Sequence, residues 1–193
     1  MSEHSDKTVR RRELRRDAVD NRDRVLAAAA VAVRREGTAV PMATIAADAG
    51  VGVGTVYRHY PSRAALLSAL TQRSFRLVLD SARRAASLDE SAIEAIRSFL
   101  DETIEHGADL VLPMHGGPPP TDEAVALRDE VHRTVGSMIE HGQRDGTVRA
   151  DVTTADVIVF GALLAQRLPD VEDWKFVARR QAVIFVAGLA SRC

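Results

Sequence analysis

The chain has 193 residues, 46% of them hydrophobic; that is enough for one compact domain or a small domain joined to a larger one, and it excludes a largely disordered chain. The net charge of −1 hides an asymmetry: residues 1–63 carry twelve Lys or Arg against eight Asp or Glu, while residues 64–193 carry fourteen against nineteen, so only the front part favours a polyanion. A single cysteine, Cys193, excludes a disulfide framework and leaves a redox-sensor role only to an intersubunit bridge, and an apolar run no longer than Val157 to Ala165 is far short of a bilayer span, which points to a soluble cytoplasmic protein.

Residues 1–20 form a basic arm, with Arg10, Arg11, Arg12, Arg15 and Arg16 close together. Two readings stand side by side: a solvated tail, or an arm that follows a phosphate backbone or enters a minor groove. The first helix is predicted from Asn21 to Glu36, where Val25, Ala28, Ala29, Ala32 and Val33 recur at helical spacing and Gly37 supplies the stop.

Between Ile45 and Leu67 runs IAADAGVGVGTVYRHYPSRAALL, which reads as a helix, a three-residue turn and a second short helix. Such a pair needs a small residue where the helices cross, a glycine where the backbone takes positive φ, and a branched apolar residue to bury the second helix. Ala46, Gly50 and Val56 stand at those places, with Ile45 and Ala49 closing the small core. The outward set on the second helix is polar: Thr55, Tyr57, Arg58 and His59, followed by Tyr60, the helix-stopping Pro61, and Arg63. Hydroxyls, an imidazole and guanidinium groups within two turns are donors for successive phosphate oxygens, with one or two side chains left for base edges. A buried helical hairpin, with Tyr57 and Tyr60 as core aromatics, is the plain alternative; Tyr60 by itself reads as core.

The segment GVGVGTVYRHYPSRAALL resembles the signature of the TetR family of one-component repressors, in detail from about Arg22 to Leu70. The resemblance implies that Thr55, Tyr57, His59 and Arg63 hold the DNA backbone, that Val53, Gly54 and Arg58 lie nearest the bases, and that Thr44 joins the DNA-binding set. It also implies an all-α fold: a three-helix DNA-binding domain with a helix-turn-helix (21–66) followed by a larger helical ligand-binding and dimerisation domain (67–193). Two departures stand out. Pro41-Met42 occupies the place where the family often has a Ser or Thr cap, and Arg63 replaces the family's lysine, keeping charge but changing geometry.

Ser62 is placed to cap a long fourth helix whose apolar positions Leu66, Leu67, Leu70, Phe75, Leu77, Val78 and Ala82 run to about Ala86. It is expected to link the two domains mechanically. Further helices are predicted near Asp89–Glu105, Thr121–Asp145, Thr154–Arg167 and Val171–Leu189, with the proline-rich Leu112–Pro120 breaking the middle.

The last two helices are apolar on more than one face. Val157, Gly161, Leu164, Val183 and Ala187 are expected to form a two-fold homodimer through a four-helix bundle, as the resemblance also implies; a single-chain core is the other reading. A dimer would set paired recognition helices about one DNA turn apart, hence on a palindromic double-stranded operator. The resemblance further implies a pocket for an apolar or amphipathic small-molecule effector, with Phe75, Phe99, Thr103, Leu112, Met114, Met138 and Phe160 as candidate lining, and release of DNA by a population shift.

Nothing calls for a catalytic residue or cofactor. There is no HExxH, paired cysteine, phosphate loop or nucleophile elbow, and His106, His115, His132 and His141 are scattered. Glu102 and His106 share a helix face at i,i+4, so a metal-sensing regulator, with a distant histidine completing the site, is the intermediate alternative; an enzyme using the C-terminal helical cavity is the remoter one. A sequence-neutral architectural binder fits less well, because the basic charge is modest and a large acidic part follows.

Overall fold

The computed structural model describes residues 21–111, 117–168 and 170–191. Among the described residues every regular element is a helix apart from an isolated antiparallel bridge between Val148 and Ala190. The elements are α1 (21–36), α2 (Met42–Ala49), α3 (Val53–His59), α4 (Arg63–Ala86), α5 (Ala92–Glu105) with a 3-10 turn at His106–Ala108, α6 (Asp122–Arg144), α7 (Thr154–Leu164) and α8 (Trp174–Leu189). Among the described residues no helix is long and apolar enough to cross a membrane. The chain divides into two compact units, the break falling inside α4 between Leu70 and Thr71.

In the first unit, α1 buries Val25, Leu26, Ala29, Ala30, Ala32 and Val33, a stripe at helical spacing, and ends where Gly37 takes φ +82°. Met42, Ile45, Ala46 and Ala49 of α2 and Val56 of α3 are buried as well. Pro41 starts α2 without any side-chain cap, as its fixed φ allows. Ser62 caps α4, its Oγ accepting from the Ala65 N–H at 3.1 Å.

The second unit's core gathers Leu79 and Ala82 of α4, Ile96, Phe99 and Leu100 of α5, Val131, Val135 and Met138 of α6, and Val157, Leu164, Ala178, Ala182 and Val186 of α7 and α8. Helix starts here are chemically marked. Ser91 and Thr121 accept from backbone N–H groups three residues on, and Thr153 with Asp156 forms a full capping box. Three helices are each three residues shorter at one end than their sequence pattern predicts, and the first, α5, begins at Ala92 behind its Ser91 cap rather than at Asp89. Helix α7 stops at Leu164 rather than Arg167, its terminal carbonyl taken by the indole N–H of Trp174 at 2.9 Å. Helix α8 begins at Trp174 rather than Val171, because Asp170 and Asp173 both adopt left-handed φ, 61° and 50°.

Candidate nucleic-acid interface and ligand cavity

The turn between α2 and α3 is fixed by backbone hydrogen bonds. Gly50 takes φ 64°, ψ 36°, its N–H reaches Ala47 O at 3.0 Å, and the Val51 N–H reaches Ala46 O at 3.0 Å, a left-handed helix ending that glycine adopts without strain. Ala46 is 1% exposed, so the small residue does sit at the crossing. One arginine that the sequence pattern did not single out completes the turn. From α1, Arg24 donates through Nη2 to Ala49 O at 2.7 Å and Gly50 O at 3.3 Å, placing a cation at the C-terminal end of α2. No spacing rule connects Arg24 to a turn 25 residues away, which is why periodicity missed it.

Helix α3 buries Val56 alone and turns the rest outward. Val53, Gly54, Tyr57 and Arg58 are exposed, Thr55 and His59 are half-buried, Arg63 at the start of α4 is exposed, and Thr44 on α2 is half-buried. Tyr60 is core, 3% exposed, with its hydroxyl accepting from Arg22 Nε at 3.4 Å. Burial pushes the Tyr60 phenol above the usual tyrosine range, only partly offset by Arg22. Arg58 and Arg63 make no hydrogen bond or ion pair among the described residues, so their donors remain for an external acceptor.

Within the second unit a cavity of about 60 Å³ lies among α4, α5, α6 and α7. Of the candidate effector-pocket residues, Phe75, Phe99 and Thr103 line it. Met138 does not: it is packed in the core and borders a separate groove beside His141. Phe160 is turned aside, its ring stacked on Phe185 with centroids 4.0 Å apart, and is absent from the lining. Leu112 and Met114, like the basic arm, His115 and Cys193, lie outside the described residues. The rest of the wall is apolar at Val78, Leu110, Val131, Ile158 and Ala162, and includes Thr71, Ser74, Arg128, His132 and Gly161, which carry no apolar signal. A Cβ on Gly161 would stand 3.1 Å from Leu100 Cδ2, so glycine at that position holds space open.

The α7 and α8 residues proposed for an interface divide. Val157 is fully buried, Leu164 is 5% exposed and Gly161 is buried against Leu100 and Phe99, so these three serve the chain's own core. Val183 is 56% exposed and Ala187 is also exposed. The open apolar residues beside them are Val159 and Leu163 on α7 and Phe176 and Ile184 on α8. Glu102, the carboxylate considered for a metal, is held by Arg84, whose Nε donates at 3.0 Å. Among the described residues no group of three or more His, Cys, Asp or Glu side chains is placed to hold a metal ion.

The family model described as bacterial regulatory proteins, tetR family, matches residues 25–70, and the one described as transcriptional regulator SbtR-like, C-terminal domain, matches residues 91–191. The chain belongs to the TetR family. Its fold and sequence are similar to a TetR transcription regulatory protein from Mycobacterium vanbaalenii, at 34% identity over 92% of this chain and 99% of that one, with a TM-score of 0.66. A TetR transcriptional regulator from Streptomyces coelicolor is similar at 25% identity over 89% and 99% of the two chains, TM-score 0.63. A tetR-family regulatory protein from Rhodococcus RHA1 shares the fold, with TM-score 0.72 over 90% and 98% at 19% identity. Among curated proteins no relative was found. As a TetR-family protein the chain is a DNA-binding transcriptional regulator with a helix-turn-helix, not an enzyme.

Proposed function

We propose that this TetR-family regulator is a ligand-responsive repressor that binds a palindromic operator as a dimer in the cytoplasm and leaves it when a small molecule occupies the second unit. Residues 21–66 bind DNA and residues 67–193 carry the effector and dimerisation functions. The observation that carries the reading is the outward face of α3, with Tyr57 and Arg58 exposed over a buried Val56. Thr44, Thr55, Tyr57, His59 and Arg63 take phosphate contacts, and Val53, Gly54 and Arg58 approach the bases in the major groove. The partner subunit covers the open apolar face of Val159, Leu163, Phe176, Val183, Ile184 and Ala187.

The cavity is the effector site. Its occupation favours a conformation in which the paired α3 helices are mis-spaced, and the ligand's differential affinity for that state releases DNA. Support comes from α4, one continuous helix whose Phe75 and Val78 line the cavity and whose Leu66 and Leu70 are buried in the DNA-binding unit. Selection of duplexes from a random pool, followed by competition with random duplex at physiological salt, tests the reading. Enrichment of a two-fold symmetric site supports it; equal affinity for every duplex overturns it.

A further inference from the structure

The proposed effector cavity is chemically lopsided, and the asymmetry names a ligand class. Its interior is formed by Phe75, Val78, Phe99, Val131 and Ile158. The two buried hydroxyls there are already engaged: Thr103 Oγ1 donates to Phe99 O at 2.8 Å, and Ser74 Oγ accepts from the Val111 N–H at 2.8 Å. Polar capacity left for a guest comes from Thr71, His132 and Arg128, the last two exposed and one turn apart on α6. No carboxylate belongs to the lining. An arginine is cationic at any working pH, and an imidazole offers an N–H donor in either protonation state.

Arg128 is not idle, since its Nε and Nη2 donate to Asp129 Oδ1 at 3.0 and 2.8 Å. Both partners are about half-exposed, with side chains 48% and 47% accessible. Such a pair is weak and exchangeable, so a carboxylate arriving from the cavity competes with Asp129 on nearly equal terms. Size sets the other limit. At roughly 10–15 Å³ for each water-sized position, the cavity of about 60 Å³ takes roughly four to six buried heavy atoms.

Resting on the assignment of this cavity as the effector site, we propose that the ligand is a small amphipathic anion whose short aliphatic or cyclic body fills the apolar interior, while its carboxylate, or another anionic head, takes the Arg128 guanidinium at the mouth with His132 beside it. A cationic head is disfavoured because the same guanidinium repels it, and a neutral head accepts from the guanidinium without the ion pair or the bidentate fork a carboxylate makes.

The test is titration calorimetry on the full-length protein with hexanoate, 1-hexanol and hexylamine, which share one tail. Hexanoate is expected to bind at least tenfold tighter than hexanol, and hexylamine not measurably. Arg128→Gln should remove most of hexanoate's advantage while leaving hexanol unchanged. Asp129→Asn, which frees Arg128, should tighten hexanoate several-fold, a gain that a merely structural role for Arg128 does not produce. Equal binding of hexanoate and hexanol, preference for hexylamine, no binding of hexanoate, or an unchanged ratio in both variants overturns the proposal. If hexanoate binds as expected but leaves the operator complex intact, the ligand class stands and the effector assignment falls.

Discussion

Helices α3 and α8 both turn a face to solvent, and the faces differ in kind. That of α3 offers Tyr57 and Arg58, with Thr55 and His59 at its flanks. That of α8 offers Phe176, Val183 and Ile184, all more than half exposed. Exposure by itself names no partner; chemistry does. Unpaired donors gain most from phosphate and base edges, whereas an apolar stripe gains most from another apolar stripe. In the proposed reading one face meets DNA and the other a second copy, and the second contact aligns two copies of the first.

The largest expected effect breaks the apolar side. Ile184→Asp puts a charge where a partner would bury it, so the dimer should dissociate at least a hundredfold more readily, about 3 kcal/mol or more for an unpaired buried charge, and operator binding should go with it. Because Ile184 is 58% exposed within the subunit, helix content and melting of the monomer should change little. Val157→Asp, at a position 0% exposed, should instead unfold the subunit. Light scattering with circular dichroism separates the outcomes, and an Ile184→Asp protein that stays dimeric removes the assignment of that face.

Next comes the polar side. Arg58→Ala should cost about 1–3 kcal/mol of operator affinity and relax the preference at one base pair. Arg63→Ala should weaken all duplexes alike and reduce the salt dependence of binding by about one phosphate contact. Fluorescence anisotropy over a salt series distinguishes them, and identical salt slopes for both variants and the parent would reject the division between base-reading and backbone-holding residues.

These faces were unequally legible in the sequence. The α2–α3 turn announces itself because its requirements are local: a small residue at 46, a glycine at 50 and a branched residue at 56 fall within one stretch and can be read by spacing. Helix α7 gives no such phase. TADVIVFGALL is apolar nearly all round, so periodicity cannot say that Val157, Gly161 and Leu164 point inward while Val159 and Leu163 point out. The cavity was half visible for a related reason. Aromatic positions on α4 and α5 stand out in the sequence, but the wall is assembled from four helices, and the polar residues Thr71, Arg128 and His132 look like ordinary helix-surface residues in one dimension. Phe160 and Met138 carried the same signal as true lining residues and found packing partners instead.

A change that touches neither face serves as the control, with a middling effect. A Cβ on Gly142 would stand 2.4 Å from Val148 Cγ2 and 2.7 Å from Ala92 Cβ, a close approach only glycine permits. Gly142→Ala should therefore destabilise the second unit by about 1–3 kcal/mol, or about 2–4 °C of melting temperature per kcal/mol. At temperatures where the variant remains folded, its operator affinity and dimerisation should match the parent. Loss of either without a lower melting temperature would mean that the two faces depend on this crossing in some way other than stability.

The smallest effect is acid-dependent. Burial raises the Glu102 carboxyl, but hydrogen bonds from Arg84 and Ser81, together with the charge of Arg84, outweigh it and hold the group below its ordinary value. A depressed carboxylate contributes stability that is complete above its unfolded-state pKa and is lost as pH falls through the folded one. Glu102→Gln should thus cost little at neutral pH, on the scale of about 0.2–1 kcal/mol for a partly exposed pair, and the gap between parent and variant should close as the solution is taken below the carboxylate range. Denaturant melts at several pH values measure this. Because Arg84 occupies the carboxylate and Glu102 lies on neither exposed face, neutral-pH operator affinity should be unaffected; a loss of DNA response together with a change in bound metal would instead return Glu102 and His106 to the metal-sensing reading.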